Sequence, residues 1–208
     1  TLLNTRLDFV ILGAWAGPAV LGSYAVASKY AELLRLPSLA LTWISYPRLA
    51  GLDPVTAARR AVAMARPALL AVALGAVPVF ALAGPVTRLL YGTGFETAVR
   101  PAQVIIVGMV LSGAAGAASG YLYGRGRPGL NSSVLALGLG VTIVLDLLLI
   151  PRHGAMGAAV ASAAAYLVSD GVLILVLLRM SRVARSHVPA PQKRPPSHVP
   201  GPSAEVSP

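Results

Sequence analysis

The amino-acid sequence predicts an all-α, polytopic membrane bundle of about six transmembrane helices, and three observations carry that prediction. Of the 208 residues, 56% are hydrophobic and only 12% charged, and the mean hydropathy is +0.73, too apolar for a soluble domain of this length. Four runs without a charge, 9–28, 67–87, 101–124 and 128–145, each approach the ~20 residues that cross ~30 Å of hydrocarbon. One soluble core could not hide them all. Finally, the basic residues fall mostly between the apolar runs, which is the pattern of membrane topology.

Breaks at Gly, Pro and Arg clusters divide the chain into six expected spans, roughly 1–17, 22–50, 61–83, 101–124, 129–150 and 154–179. The first runs straight on from Thr1 with no basic leader or cleavage site, so the chain is expected to be an internal fragment. The second is longer than a perpendicular crossing needs at ~1.5 Å per residue, and Pro37 near its middle predicts a kink or tilt. The third follows Arg59 and Arg60. Along the fourth, Gly108, Ser112, Gly116, Gly120 and Gly124 recur every four residues, a stripe of small side chains that lets a neighbouring helix approach closely. The fifth carries Asp146; the sixth carries Asp170 and repeats the stripe with Gly157, Ala161, Ala165 and Ser169. Residues 1–182 thus form the membrane unit, and 183–208 are expected to be a disordered, Pro-rich tail. Within that tail Lys193 and Arg194 either touch anionic headgroups or are simply solvated.

An even number of spans places both ends of the segment on one side. With the C-terminus cytoplasmic, the inner segments hold Arg48, Arg59, Arg60, Arg66, Arg125, Arg127, Arg179, Arg182, Arg185, Lys193 and Arg194, against Arg88, Arg100 and Arg152 outside. Eleven against three fixes the expected orientation. The aromatic residues agree, with Trp15, Tyr24 and Tyr91 near the outer boundary and Trp43, Tyr46, Tyr121 and Tyr123 near the inner one.

The formal charge of +10 would suggest nucleic acid in a soluble protein, but here it is spent on topology, and no nucleic-acid partner is expected. The absence of cysteine excludes disulfides and thiolate metal sites. No catalytic constellation, cofactor motif or metal-ligand spacing is present, so the chain is not expected to be an enzyme. The Gly-x-Gly in Gly124-Arg125-Gly126-Arg127-Pro128-Gly129 follows no strand and reads as a tight cytoplasmic turn.

Ionisable groups inside the spans are the candidate functional residues, because each is costly at mid-membrane and so faces protein or a water-filled cavity. Lys29, Glu32 and Arg35, at i, i+3 and i+6, share an arc of about 120° on a helix, and after Glu32 neutralises one cation a positive charge remains. Arg6 and Asp8 are two residues apart and point to nearly opposite faces, so each needs a partner elsewhere. Arg6 either lines the cavity or snorkels to the headgroups. Asp146 and Asp170 either bind a coupling ion or proton, or hydrogen-bond within the bundle.

The segment from Arg6-Leu7-Asp8-Phe9-Val10-Ile11-Leu12-Gly13 through Leu21-Gly22-Ser23-Tyr24-Ala25-Val26-Ala27 to Tyr46-Pro47-Arg48-Leu49-Ala50 resembles the start of the second lobe of bacterial polysaccharide flippases. Leu90-Tyr91-Gly92 to Phe95 resembles that family's outer loop, and Ile150-Pro151-Arg152-His153-Gly154-Ala155-Met156-Gly157-Ala158-Ala159-Val160-Ala161 its Pro-x-x-Gly-x-x-Gly-Ala-Ala connection. The resemblance covers about residues 4 to 180. These proteins belong to the multidrug and oligosaccharidyl-lipid exporter superfamily, and the resemblance implies one lobe of a two-lobe, alternating-access fold in the bacterial inner membrane. The cargo it implies is an O-antigen, exopolysaccharide or similar oligosaccharide unit on undecaprenyl pyrophosphate. Lys29 and Arg35, and less directly Arg6, would contact the pyrophosphate or an acidic sugar. Implied partners are the lipid bilayer, the lipid-linked oligosaccharide, a missing N-terminal lobe, and a polysaccharide polymerase and glycosyltransferases. The alternatives within the same superfamily are a cation-coupled multidrug exporter and a peptidoglycan-precursor flippase. A non-transporting membrane scaffold, with internal salt bridges in place of cavity charges, is the alternative of another class.

Overall fold

In an apolar surrounding a backbone must satisfy its own N–H and C=O groups, and a helix does so within one segment. The structure, a computed structural model, describes residues 2–186, with side chains described from Asp8 to Ala184. It contains α1 (Leu2–Trp15), α2 (Gly17–Ala50), α3 (Pro54–Tyr91), a 3₁₀ helix (Thr93–Ala98), α4 (Val99–Gly108), α5 (Ser112–Gly124), α6 (Pro128–His153) and α7 (Ala155–Ser186). The Pro-rich tail, with Lys193 and Arg194, lies outside the described residues from 187 onward, as does the side chain of Arg6.

The expected count of about six transmembrane helices is overturned. Among the described residues, α3, α6 and α7 are long and apolar enough to cross a membrane, and the number rises to four at most if the bent pair 93–108 and 112–124 is one span. Each discrepancy has a local cause. The charge-free run 9–28 straddles a turn at Ala16–Gly17, where Gly17 takes φ +78°, so α1 has only 14 residues. That is about 21 Å of helix, short of the hydrocarbon thickness. α2 has ample length at 34 residues, but Lys29, Glu32 and Arg35, together with Ser23, Ser28, Ser38, Thr42 and Ser45, leave it too polar for an apolar span. The expected single span 101–124 is two helices meeting at 48°. At the break the bonding tightens, with Val110 N–H donating to Val107 C=O and Ser112 N–H to Met109 C=O.

α3 runs the length of the bundle and separates two ends. At one, Arg125 in the α5–α6 turn donates to the Leu52 carbonyl in the α2–α3 loop at 3.3 Å. At the other, Ser23 near the start of α2 and Thr97 of the 3₁₀ helix share a 2.8 Å hydroxyl contact. α2 stays one helix through Pro37 and Pro47, packing on α5, while α6 packs on α7.

Along α3 the packing is inverted relative to a water-soluble core. α3 buries Ala57, Ala58, Ala61, Ala65, Val72, Ala76 and Ala83, while Leu70 and Leu74 on its other side are 61% and 70% exposed. Only 17% of its most apolar stretch is buried. Small residues inside and large apolar residues outside are what helix association in lipid requires. The chain is therefore an all-α bundle with the character of a membrane-associated protein.

The small-residue stripe of the fourth expected span splits at the break. A Cβ on Gly108 would stand 2.5 Å from Ala163 of α7, whereas one on Gly116 would stand 2.5 Å from the Ser38 carbonyl of α2. α5 therefore lies backbone to backbone with α2. Hydroxyls complete the seam: Ser38 donates to Ser112 C=O at 2.6 Å and Thr42 to Gly116 C=O at 3.0 Å. Of the expected interfacial aromatics, Trp15, Trp43, Tyr46 and Tyr91 are on the surface, but Tyr24 and Tyr121 are each only 2% exposed and belong to the interior.

Asp53 caps α3, its carboxylate accepting the N–H groups of Val55 and Thr56 at 3.1 and 3.0 Å. The Thr56 hydroxyl and these N–H groups hold its pKa below the ordinary Asp value.

Three variants test these contacts. Gly116→Ala should cost about 1–3 kcal/mol by forcing α2 and α5 apart, measured by thermal unfolding of the full chain in detergent. Gly140→Ala, where a Cβ meets nothing within 4 Å, should instead gain up to about 1 kcal/mol of helix propensity. The Asp53 cap contributes fully above the usual carboxylate range near ~3.9 and fades as pH falls through its depressed native value. Asp53→Ser keeps a capping oxygen that does not ionise, so acid titration of the unfolding midpoint should lose this step in the variant.

Candidate functional site

Polar side chains inside an apolar bundle are costly unless they meet one another or a polar occupant. Besides a wider cleft of about 700 Å³ that Ser23, Glu96, Thr97, Arg100 and His153 help to line, they gather in two places that hold the candidate residues. The larger is a groove of about 480 Å³ between α2, α5, α6 and α7, lined among others by Arg35, Ser38, Ser119, Tyr123, Asn131, Ser132, Tyr166, Ser169 and Asp170.

The α2 helix supplies Arg35 and Ser38 one turn apart, α5 supplies Ser119 and Tyr123 at i and i+4, and the first turn of α6 places Asn131 and Ser132 opposite them. The Asn131 amide donates to the Tyr123 hydroxyl at 3.0 Å. Its carbonyl oxygen and the Ser112 hydroxyl are buried without a partner among the described residues. On the α7 side the Arg35 guanidinium lies over the Tyr166 ring, 5.5 Å from its centroid, a cation–π contact that orients it. The groove thus offers hydroxyls, an unsatisfied amide carbonyl, one guanidinium and the Asp170 carboxyl.

The second place is where α1, α2, α6 and α7 meet. Asp8 is 3% and Asp146 0% exposed. Asp8 Oδ2 accepts from the Tyr24 hydroxyl at 2.6 Å and the Ser162 hydroxyl at 2.9 Å.

The candidates from the sequence therefore separate. Lys29 and Glu32 bind each other at 2.9 Å on the outer face of α2, with about 59% and 57% of their side chains exposed. Glu32 also borders a small cleft beside Arg35, with Phe9 and Tyr166, but Lys29 lines none of the cavities described. Arg35 and Asp170 share the groove; Asp8 and Asp146 share the buried junction. Arg6 is brought to neither, since its side chain lies outside the described residues.

Sequence reasoning missed Tyr166, Asn131, Tyr123, Ser38 and Ser119 in the groove, and Tyr24 and Ser162 at the junction. A signal did exist for some of them: Ser38 and Thr42 stand at i and i+4 in an otherwise apolar half-helix, and Asn131-Ser132-Ser133 opens α6 directly after the basic turn. No group of three or more acidic or His side chains that could hold a metal occurs among the described residues. Comparison of the chain with protein-family models, curated proteins and solved structures finds no match.

Proposed function

We infer that the chain is part of a membrane transporter whose groove receives the hydrophilic, anionic portion of a lipid-linked oligosaccharide and carries it between leaflets by alternating access. The observation supporting this reading is a hydroxyl- and amide-lined groove with a single oriented guanidinium in an otherwise apolar bundle. Hydroxyl, amide and Tyr groups match the donors and acceptors of a sugar, and Arg35 matches a phosphate or acidic sugar through charge-assisted hydrogen bonds. The resemblance to bacterial polysaccharide flippases supplies the cargo class, an undecaprenyl-pyrophosphate-linked repeat unit. In this reading the exposed Lys29–Glu32 pair faces a further part of the transporter rather than lipid. The polymerase and glycosyltransferases act on the same cargo before or after it crosses.

A cationic cargo is the competing reading, and Asp170 with the Tyr166 ring in the same groove is the observation that favours it. The two separate experimentally. In the full-length protein Arg35→Gln should lower surface polysaccharide by about tenfold or more, the scale of one lost charge-assisted contact, with membrane abundance unchanged. Asp170→Asn should leave export near normal. Normal export in the Arg35 variant removes the oligosaccharide reading.

For the bacterial inner membrane we propose that the end carrying the α2–α3 loop, the α5–α6 turn and the C-terminal part of α7 is cytoplasmic, because Arg48, Arg59, Arg60, Arg125, Arg127, Arg179 and Arg182 cluster there. A cysteine placed at Thr93 should then react with an impermeant reagent in intact cells and one at Gly126 should not. Reversed labelling inverts the orientation.

A further inference from the structure

The wider cleft, at the end of the bundle where Ser23 meets Thr97, belongs neither to the groove nor to the buried acids. Its volume of about 700 Å³ lies within the range of small-molecule sites. Two changes of direction in the chain build it. Gly154 takes φ +53° between α6 and α7, which brings His153, Ala155 and Met156 beside α2; a Cβ on Gly154 would stand 3.2 Å from Val20. The 3₁₀ helix then runs into α4 and presents Glu96, Thr97 and Arg100 to the same space. The Ser23–Thr97 contact fastens that segment to α2.

The charges of the cleft are uneven. Glu96 is already claimed, since the Arg88 guanidinium donates twice to its Oε1, at 3.0 and 2.7 Å. Arg100 and His153 differ: neither has a hydrogen-bond or ion-pair partner among the described residues. The guanidinium fork and an imidazole N–H are therefore free to donate. The walls between them are apolar, formed by Ala19, Val20, Pro101, Ala155 and Met156. A cation beside low-dielectric walls has its field focused into the opening, which concentrates anions there. Apolar surface in the same cavity favours an anion attached to a hydrocarbon body.

The surroundings decide which amphiphile. Trp15, just before the start of α2, and Tyr91, at the end of α3, belong to this end and are exposed, as are Leu89 and Leu90. Amphipathic rings beside exposed leucines suit the headgroup layer of a bilayer. We propose that the cleft is a binding site for an anionic phospholipid. Arg100 and His153 donate to its phosphate oxygens, and its glycerol and first acyl carbons lie on Val20, Pro101 and Met156. With Glu96 matched by Arg88, the amine of a zwitterionic headgroup would meet the unpaired Arg100, so a headgroup of net negative charge is preferred. The bound lipid ties the α6–α7 turn to the 3₁₀ helix across the mouth of α2. Nothing in this site depends on the cargo assigned to the groove.

The test titrates the full chain, in neutral detergent at constant ionic strength, with phosphatidylglycerol or phosphatidylcholine. The arginine-rich end also attracts anionic lipid, so hydrogen exchange locates the binding. Phosphatidylglycerol should slow exchange of the Ala155, Met156 and Gly157 amides, at concentrations about tenfold or more below those at which phosphatidylcholine does, the scale of one charge-assisted contact. Arg100→Gln combined with His153→Ala should raise the phosphatidylglycerol concentration required by about tenfold. Both residues are exposed, so the unfolding midpoint without lipid should not move. Arg59→Gln with Arg60→Gln, at the opposite end, should leave the protection intact. Equal protection by phosphatidylcholine, or protection that survives the Arg100–His153 variant or is lost in the Arg59–Arg60 variant, overturns the site. So does full protection by inorganic phosphate alone, which makes the cleft a site for a free anion. Tighter protection by a polyprenyl phosphate than by phosphatidylglycerol also overturns it, because the cleft then belongs to a carrier lipid.

Discussion

Close approach of backbones is the constraint on which this bundle depends. Where the solvent is as apolar as the side chains, burying leucine gains little, and cohesion comes from van der Waals contact between surfaces that fit and from hydrogen bonds between helices. The seams that α2 and α3 make with α5 follow this rule. Alanines line the inner face of α3, and glycines of α5 lie on the carbonyl and Cβ atoms of Ser38 and Ser45 of α2. Ser38, Thr42 and Tyr30 send their hydroxyls to backbone carbonyls of neighbouring helices. Both tryptophans and many leucines and valines lie outside and give the bundle an apolar coat, while Leu12, Leu49, Leu122, Leu173 and Leu177 fill the interior between the seams.

The same constraint decides where function can reside. Small residues on the facing surfaces of α2 and α5 bring those two helices together, and the space between α2, α5, α6 and α7 stays open as a groove. Polar groups that the close-packed seams cannot absorb line it. Asn131 exemplifies the arrangement, with its amide nitrogen satisfied by Tyr123 and its oxygen left without a partner. A group of this kind is costly in an empty, dry interior and useful to a hydroxylated ligand. Arg35 is similarly committed, because stacking on Tyr166 fixes the ring-side face of the guanidinium and leaves its edges for hydrogen bonding.

Helical class was legible in the sequence, because runs of apolar residues with Gly and Pro punctuation have no other stable form in lipid. The number of crossings was not. Counting apolar runs joins segments that a turn divides, as at Ala16–Gly17, and misses a break that neither Pro nor charge announces, as at Met109–Leu111. It also counts α2 by its length, although its polar residues are the price of its central position against α5. Charged positions were legible as exceptional, yet their grouping was not. Lys29, Glu32 and Arg35 share an arc in sequence, but the first two neutralise each other outside while Arg35 turns toward α7. Asp8 and Asp146 lie far apart in the chain, and only the packing of α1 on α6 unites them. Tyr24 was read as an interfacial anchor because an amphipathic ring near a helix end suits a headgroup layer equally well.

The break between α4 and α5 has a mechanical consequence. A continuous helix resists bending along its whole ladder of i to i+4 bonds, whereas the tightened turn at Met109–Leu111 interrupts that ladder. On one side of it Gly108 presses against Ala163 of α7, and on the other Gly116 presses against Ser38 of α2. The break is therefore a joint at which the closest backbone approach of this bent pair passes from α7 to α2.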